Sequence, residues 1–106
     1  MNALAVVKRY TARQGQNDVA GVLALMTADV VLVVNGKRYE GLAAVRTYLS
    51  ANYTPAISQE EPRLMADGRV EMNLKVRKFF ITIPVRIVFR LRGDEIAQLD
   101  VTASLF

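Results

Sequence analysis

The chain has 106 residues, 52% of them hydrophobic, and its 14 Lys+Arg against 10 Asp+Glu give a formal charge of +4. That is room for one domain, residues 1–106, with one apolar core, and so small a positive excess is weak evidence for nucleic acid. Cysteine and histidine are both absent, which excludes disulfides, thiol nucleophiles, Ser-His-Asp and Cys-His catalytic systems and nearly every zinc or non-haem iron site.

Ala3, Val6, Val7 and Tyr10 recur at helical spacing and predict a first helix over 3–14, which Gly15 ends. Asn17 or Asp18 caps a second helix, with Val19, Val22, Leu23, Leu25 and Met26 on one face and an end near Thr27. Val30-Val31-Leu32-Val33-Val34 predicts a buried strand. Asn35-Gly36 is a hairpin signal because both residues accept positive φ, and Lys37 to Glu40 is the return strand. A third helix follows Gly41, with Leu42, Val45, Tyr48 and Leu49 on one side, and the polar stretch around Pro55 breaks it.

The remainder alternates with period two. A strand near 57–66 turns at Asp67-Gly68 into a strand over 69–77, where Val70, Met72, Leu74 and Val76 oppose Glu71, Asn73, Lys75 and Arg77. Strand 80–91 sets Ile81, Ile83, Val85, Ile87, Phe89 and Leu91 against Thr82, Arg86 and Arg90. After Gly93-Asp94, strand 95–105 sets Ala97, Leu99, Val101 and Ala103 against Gln98, Asp100, Thr102 and Ser104. Pro84, inside a strand pattern, predicts a bulge or an edge position. The order α-α-β-β-α-β-β-β-β implies an α+β layer fold: three helices over a curved antiparallel sheet of four to six strands, with an apolar pocket on the concave side. The N-terminal stretch Met1 to Arg9 meets charge too early for a signal peptide, and Val30 to Val34 is too short to span a bilayer. The expectation is a cytoplasmic protein with no membrane partner.

The segment Val6-Val7-Lys8-Arg9-Tyr10, then Asp18, Leu23-Ala24-Leu25-Met26, Ala28-Asp29, and the Gly41 helix entry with Val45-Arg46 resemble the SnoaL-like and ketosteroid isomerase-like group of the nuclear transport factor 2-like superfamily. The resemblance runs over essentially the whole chain and implies a cystatin-like, cone-shaped sheet. That superfamily hosts isomerases, dehydratases, epoxide hydrolases, cyclases and non-enzymatic binders, so it implies fold more than function. Ketosteroid isomerases use a tyrosine donor, an aspartate base and a protonated aspartic acid, a system that is a standard example of carboxyl tuning. Carried onto this chain, the tyrosine falls on Tyr10, the base on Val34 (or the adjacent Asn35) and the second donor on Ile87. Two of the three roles are vacant, so proton transfer by that route has no base.

No catalytic residue, metal site or cofactor is therefore assigned. The expected pocket walls, and ligand-binding residues, are Tyr10, Val34, Tyr48, Met72, Leu74, Val85, Ile87, Phe89, Leu99 and Val101. An epoxide-hydrolase-like Asp-Arg-Asp site would need Asp29, Arg46 and Asp100 together in the cavity, against the alternation that puts Asp100 on the polar face. Lys75, Arg77, Arg86 and Arg90 make a basic stripe on the convex face, without the aromatics that single-stranded nucleic acid stacks on. The resemblance implies a homodimer through that face. Arg86 or Arg90 would meet Glu71 or Asp100 across a two-fold axis, in a contact weakened by salt.

Three functions stay open: a domain binding a hydrophobic small molecule, an enzyme of isomerase, dehydratase or cyclase type acting on a hydrophobic ring substrate, and a homodimeric interaction module with a vestigial pocket. A large apolar pocket without a carboxylate favours the first, a buried carboxylate the second, and a cone filled by side chains the third.

Overall fold

A computed structural model describes residues 2–103. Helix α1 (Ala3–Gly15) starts where the Asn2 side chain accepts the Ala5 N–H at 2.8 Å, and it buries Val6, Val7 and Tyr10. Helix α2 (Val19–Leu23) is a short turn of helix, capped by Asp18 accepting the Gly21 N–H at 2.9 Å. It stops earlier than its apolar spacing suggests, because Leu25 and Met26 are claimed by the sheet. The Ile96 N–H donates to the Leu25 carbonyl at 2.8 Å, and Met26 pairs with Ile96 at the start of β1 (Met26–Val34). Strand pairing overrides helical periodicity there.

Asn35 and Gly36 adopt φ of 49° and 88° and return the chain into β2 (Lys37–Glu40), followed by α3 (Leu42–Ala51). The strand expected near 57–66 is two pieces, β3 (Ala56–Gln59) and β4 (Arg63–Leu64), interrupted around Pro62, which has no N–H to give a ladder. Both pair with β5 (Val70–Lys78), which is followed by β6 (Ile81–Arg92) and β7 (Glu95–Ala103). Ser104, expected in the last strand, lies outside the described residues.

The seven strands form one sheet in the order β2-β1-β7-β6-β5-β3, with β4 also on β5. All pairs are antiparallel except β1 with β7, so the sheet is mixed rather than wholly antiparallel. The sheet was expected to be antiparallel throughout. Instead the last strand returns to the middle of the sheet beside the first and runs in the same direction.

Pro84 pairs with Lys75 in an unbroken β5–β6 register, and the described β6–β7 pairing ends next to it at Val85–Ala103. Of the two expectations for Pro84, the bulge does not hold, and the residue of β7 beyond Ala103 lies outside the described residues. The bulge is elsewhere. Arg90 pairs with Gln98 and Leu91 with Ile96, which leaves Ala97 as the extra residue in β7. Ile96, fully buried, thereby takes the core place that strict alternation assigns to Ala97. The β5–β6 turn is carried by Phe79 and Phe80 at φ of 52° and 68°, a left-handed region that bulky residues rarely occupy, and both rings are solvent-exposed.

The helices cover one face of the sheet. There the cross-strand row Val34–Val101–Ile87–Met72 runs through β1, β7, β6 and β5, so Val34 and Ile87 stand on the core side, as the alternation requires. The opposite face carries the row Val33–Asp100–Val88–Glu71. Glu71 is buried and takes hydrogen bonds from both Arg63 and Arg86, which tie β4, β5 and β6 together on that side.

Candidate functional site: an apolar cavity at the open end of the cone

The helical stripes decide where the concave face is filled. Along α1, Val6, Val7 and Tyr10 point into the core, and the next place on the stripe is Gln14. Along α3, Val45 and Leu49 are buried, and the stripe then reaches Asn52. Both stripes therefore end on an amide. Strand residues beneath those helix ends receive no apolar cover, although their own pattern continues unbroken.

The result is a cavity of about 560 Å³ at the open end of the sheet. Its walls are Val34 of β1, Val76 of β5, Ile83 and Val85 of β6, and Val101 and Ala103 of β7. Its mouth carries Gln14, Asn35, Tyr48, Asn52, Thr54, Lys78, Phe79 and Ile81. The volume lies in the range of small-molecule sites, and the mix of apolar wall and few polar groups is typical of them.

Several polar partners at the mouth are already defined. Asn35 accepts the Ala103 N–H through Oδ1 at 2.9 Å, so its Nδ2 donors are what it can offer a ligand. Asn52 Nδ2 donates to the Tyr48 carbonyl at 2.9 Å, and Tyr53 donates its hydroxyl to the Gly15 carbonyl at 3.1 Å. Tyr48 packs against Tyr39 with ring centroids 4.8 Å apart; burial first, then Tyr39, raises its hydroxyl pKa. No Asp or Glu is among the described lining residues.

Four of the ten expected pocket residues, Val34, Tyr48, Val85 and Val101, line this cavity. Tyr10, Ile87, Phe89, Leu99 and Met72 instead lie in the packed core at the closed end, and half-buried Leu74 packs against it. Met72 also borders a smaller groove of about 340 Å³ on the α1 side. Tyr10 meets the Phe89 ring edge-on at 5.1 Å, and burial, then Tyr48, pushes its hydroxyl pKa up to about 12. The hydroxyl thus stays protonated at neutral pH. Sequence reasoning named Asn35 only as the neighbour of Val34 and missed Gln14, Asn52, Lys78, Ile83 and Val76. Ile83 and Val76 were legible in the alternation; Gln14 and Asn52 were not, since their place depends on where two helices stop.

The Asp-Arg-Asp arrangement is not assembled. Asp29 pairs with Arg92 at 3.1 Å on the surface, and that hydrogen bond is the main influence holding Asp29 below the usual carboxylate range. Asp100 accepts from the Gln98 amide on the convex face at 3.1 Å, and Arg46 is exposed on α3. Among the described residues no cluster of three or more Asp or Glu could hold a metal ion, and no helix is long and apolar enough to cross a membrane.

Neither a family model nor a curated protein sequence matches the chain. Solved structures do. A cystatin-fold protein from Novosphingobium aromaticivorans is 20% identical over 95% of this chain and 97% of its own, with a TM-score of 0.82. A putative polyketide cyclase from Pseudomonas putida is 21% identical over 95% of this chain and 90% of its own, also at 0.82. A protein with a ketosteroid isomerase-like fold from Catenulispora acidiphila, in complex with trimethylamine, is 14% identical over 95% of this chain and 85% of its own, at 0.74. The fold is thus the cystatin-like one, shared with these polyketide cyclase-type and ketosteroid isomerase-like structures.

Proposed function

We propose that the protein is a small-molecule binding or accessory domain that holds a hydrophobic ligand in the open-end cavity and lacks the isomerase's base. The observation that carries this reading is the cavity itself: about 560 Å³ of space, walled by valines, Ile83 and Ala103, with no carboxylate in its described lining. Such a space suits a hydrophobic guest, and its described lining offers no carboxylate to move a proton between carbons. Titration with the neutral fluorophore N-phenyl-1-naphthylamine tests it. Saturable one-to-one binding is expected, weakened by Val101→Phe, which narrows the cavity. Binding that never saturates, or that Val101→Phe leaves unchanged, overturns the reading.

A cyclase-type enzyme acting on a hydrophobic ring substrate is the second reading, favoured by the likeness to a putative polyketide cyclase. It requires turnover without a carboxylate in the described cavity lining. An interaction module with a vestigial pocket fits less well, since the space at the open end is not filled by side chains.

The assembly belongs to the same proposal: a homodimer through the convex face. Glu71 is committed to Arg63 and Arg86 of its own chain, so the cross-axis pair left from the sequence expectation is Arg90 with Asp100. Sedimentation should show a dimer that weakens as salt rises, because exposed pairs are screened. A monomer at low salt removes this part of the proposal.

A further inference from the structure

Lys78 is out of place in its own pattern. The concave-facing positions of β5 run Val70, Met72, Leu74, Val76 and then Lys78, which pairs with Ile81 at the end of the β5–β6 ladder. A lysine at that register borders the cavity mouth, where its side chain is exposed and its Nζ lies 5.8 Å from the centroid of the Phe79 ring, and it is the one charged residue among the described lining. Around it the mouth supplies hydrogen-bond donors: the Nδ2 of Asn35, whose oxygen is already taken by Ala103, the side-chain amide of Gln14, and the hydroxyls of Thr54 and Tyr48. The carbonyls at the nearby helix ends are partly spent, since Tyr48 O receives the Asn52 amide and Gly15 O the Tyr53 hydroxyl. A negative group entering the mouth therefore meets a cation and donors, and no described carboxylate repels it.

We infer that the ligand is an amphiphilic acid: an apolar body in the valine-walled cavity and a carboxylate at the mouth, paired with Lys78. The inference rests on the proposed binding function and adds the head-group chemistry. The apolar body supplies most of the affinity and the carboxylate the selectivity and orientation, because a partly solvated ion pair contributes modestly.

Isothermal titration calorimetry with decanoate and decan-1-ol, equal in chain length and different in charge, reads this directly. Decanoate should bind up to about fivefold more tightly than the alcohol at low salt, a margin of the size expected for a partly exposed ion pair. The margin should shrink as ionic strength rises. Lys78→Met, which keeps the apolar stem, should bring decanoate down to the affinity of the alcohol, and Lys78→Arg should keep it above. Equal or tighter binding of decan-1-ol overturns the inference while leaving the binding function standing, as does a decanoate preference that persists in Lys78→Met. If neither compound binds, the binding function itself fails and the inference with it.

Discussion

The two ends of this cone are built from the same strands with the same alternation, yet one end is packed solid and the other is open. On β5, Val70 at the closed end is fully buried, while Val76, six residues along and on the same face, is only partly buried and lines the cavity. β6 repeats the contrast, with Phe89 fully buried under Tyr10 and Val85 at the cavity wall. The strands do not differ in kind between the ends. The helices do: Val6, Val7 and Tyr10 reach down at one end, Gln14 and Asn52 stand over the other. A pocket in this fold is thus a place where two helical stripes end early, which makes it a property of the cover rather than of the sheet.

The sharpest way to break the comparison is to make one change at both ends. Val70→Ala should cost about 2–3 kcal/mol in denaturant unfolding, because the closed end cannot collapse around the lost methyls. Val76→Ala should cost less than about 1 kcal/mol, since its side chain already borders open space. Equal costs at the two positions would mean that the open end is packed as tightly as the closed one.

A smaller effect comes from the back of the closed end. Glu71 is held below the usual glutamate pKa, chiefly by its hydrogen bond from Arg86, with desolvation opposing and the charges of Arg63 and Arg86 assisting. A carboxylate whose folded pKa is depressed contributes stability that is present above its unfolded pKa and is lost as the pH falls through the folded value. Unfolding midpoints should therefore drop with acidification below about pH 4, and Glu71→Gln should flatten part of that slope while lowering stability at neutral pH. An unchanged slope in the variant would remove Glu71 from the account.

Much of this was legible in the chain, for reasons particular residues make plain. Asn35-Gly36 announces its turn because few other pairs accept two positive φ values, and the faces of Val34 and Ile87 follow from period two once a core side exists. The failures come from non-local pairing. Nothing local marks Ala97 as the extra residue of a bulge, and the parallel partnership of β1 with β7 joins segments some 70 residues apart. Phe79-Phe80 carries no turn chemistry at all, yet turns. The site was half-legible for the same reason. The valines were readable as concave, but whether a concave valine meets a helix or a void depends on Gln14 and Asn52.

Methyl NMR during titration with decan-1-ol tests the central claim most directly, because it reads both ends of the cone at once. The methyl resonances of Val34, Val85 and Val101 should shift in proportion to saturation, while those of Val70, Ile96 and Leu99 at the closed end stay in place. Shifts concentrated at the closed end, or none at either, would contradict a ligand site at the open end.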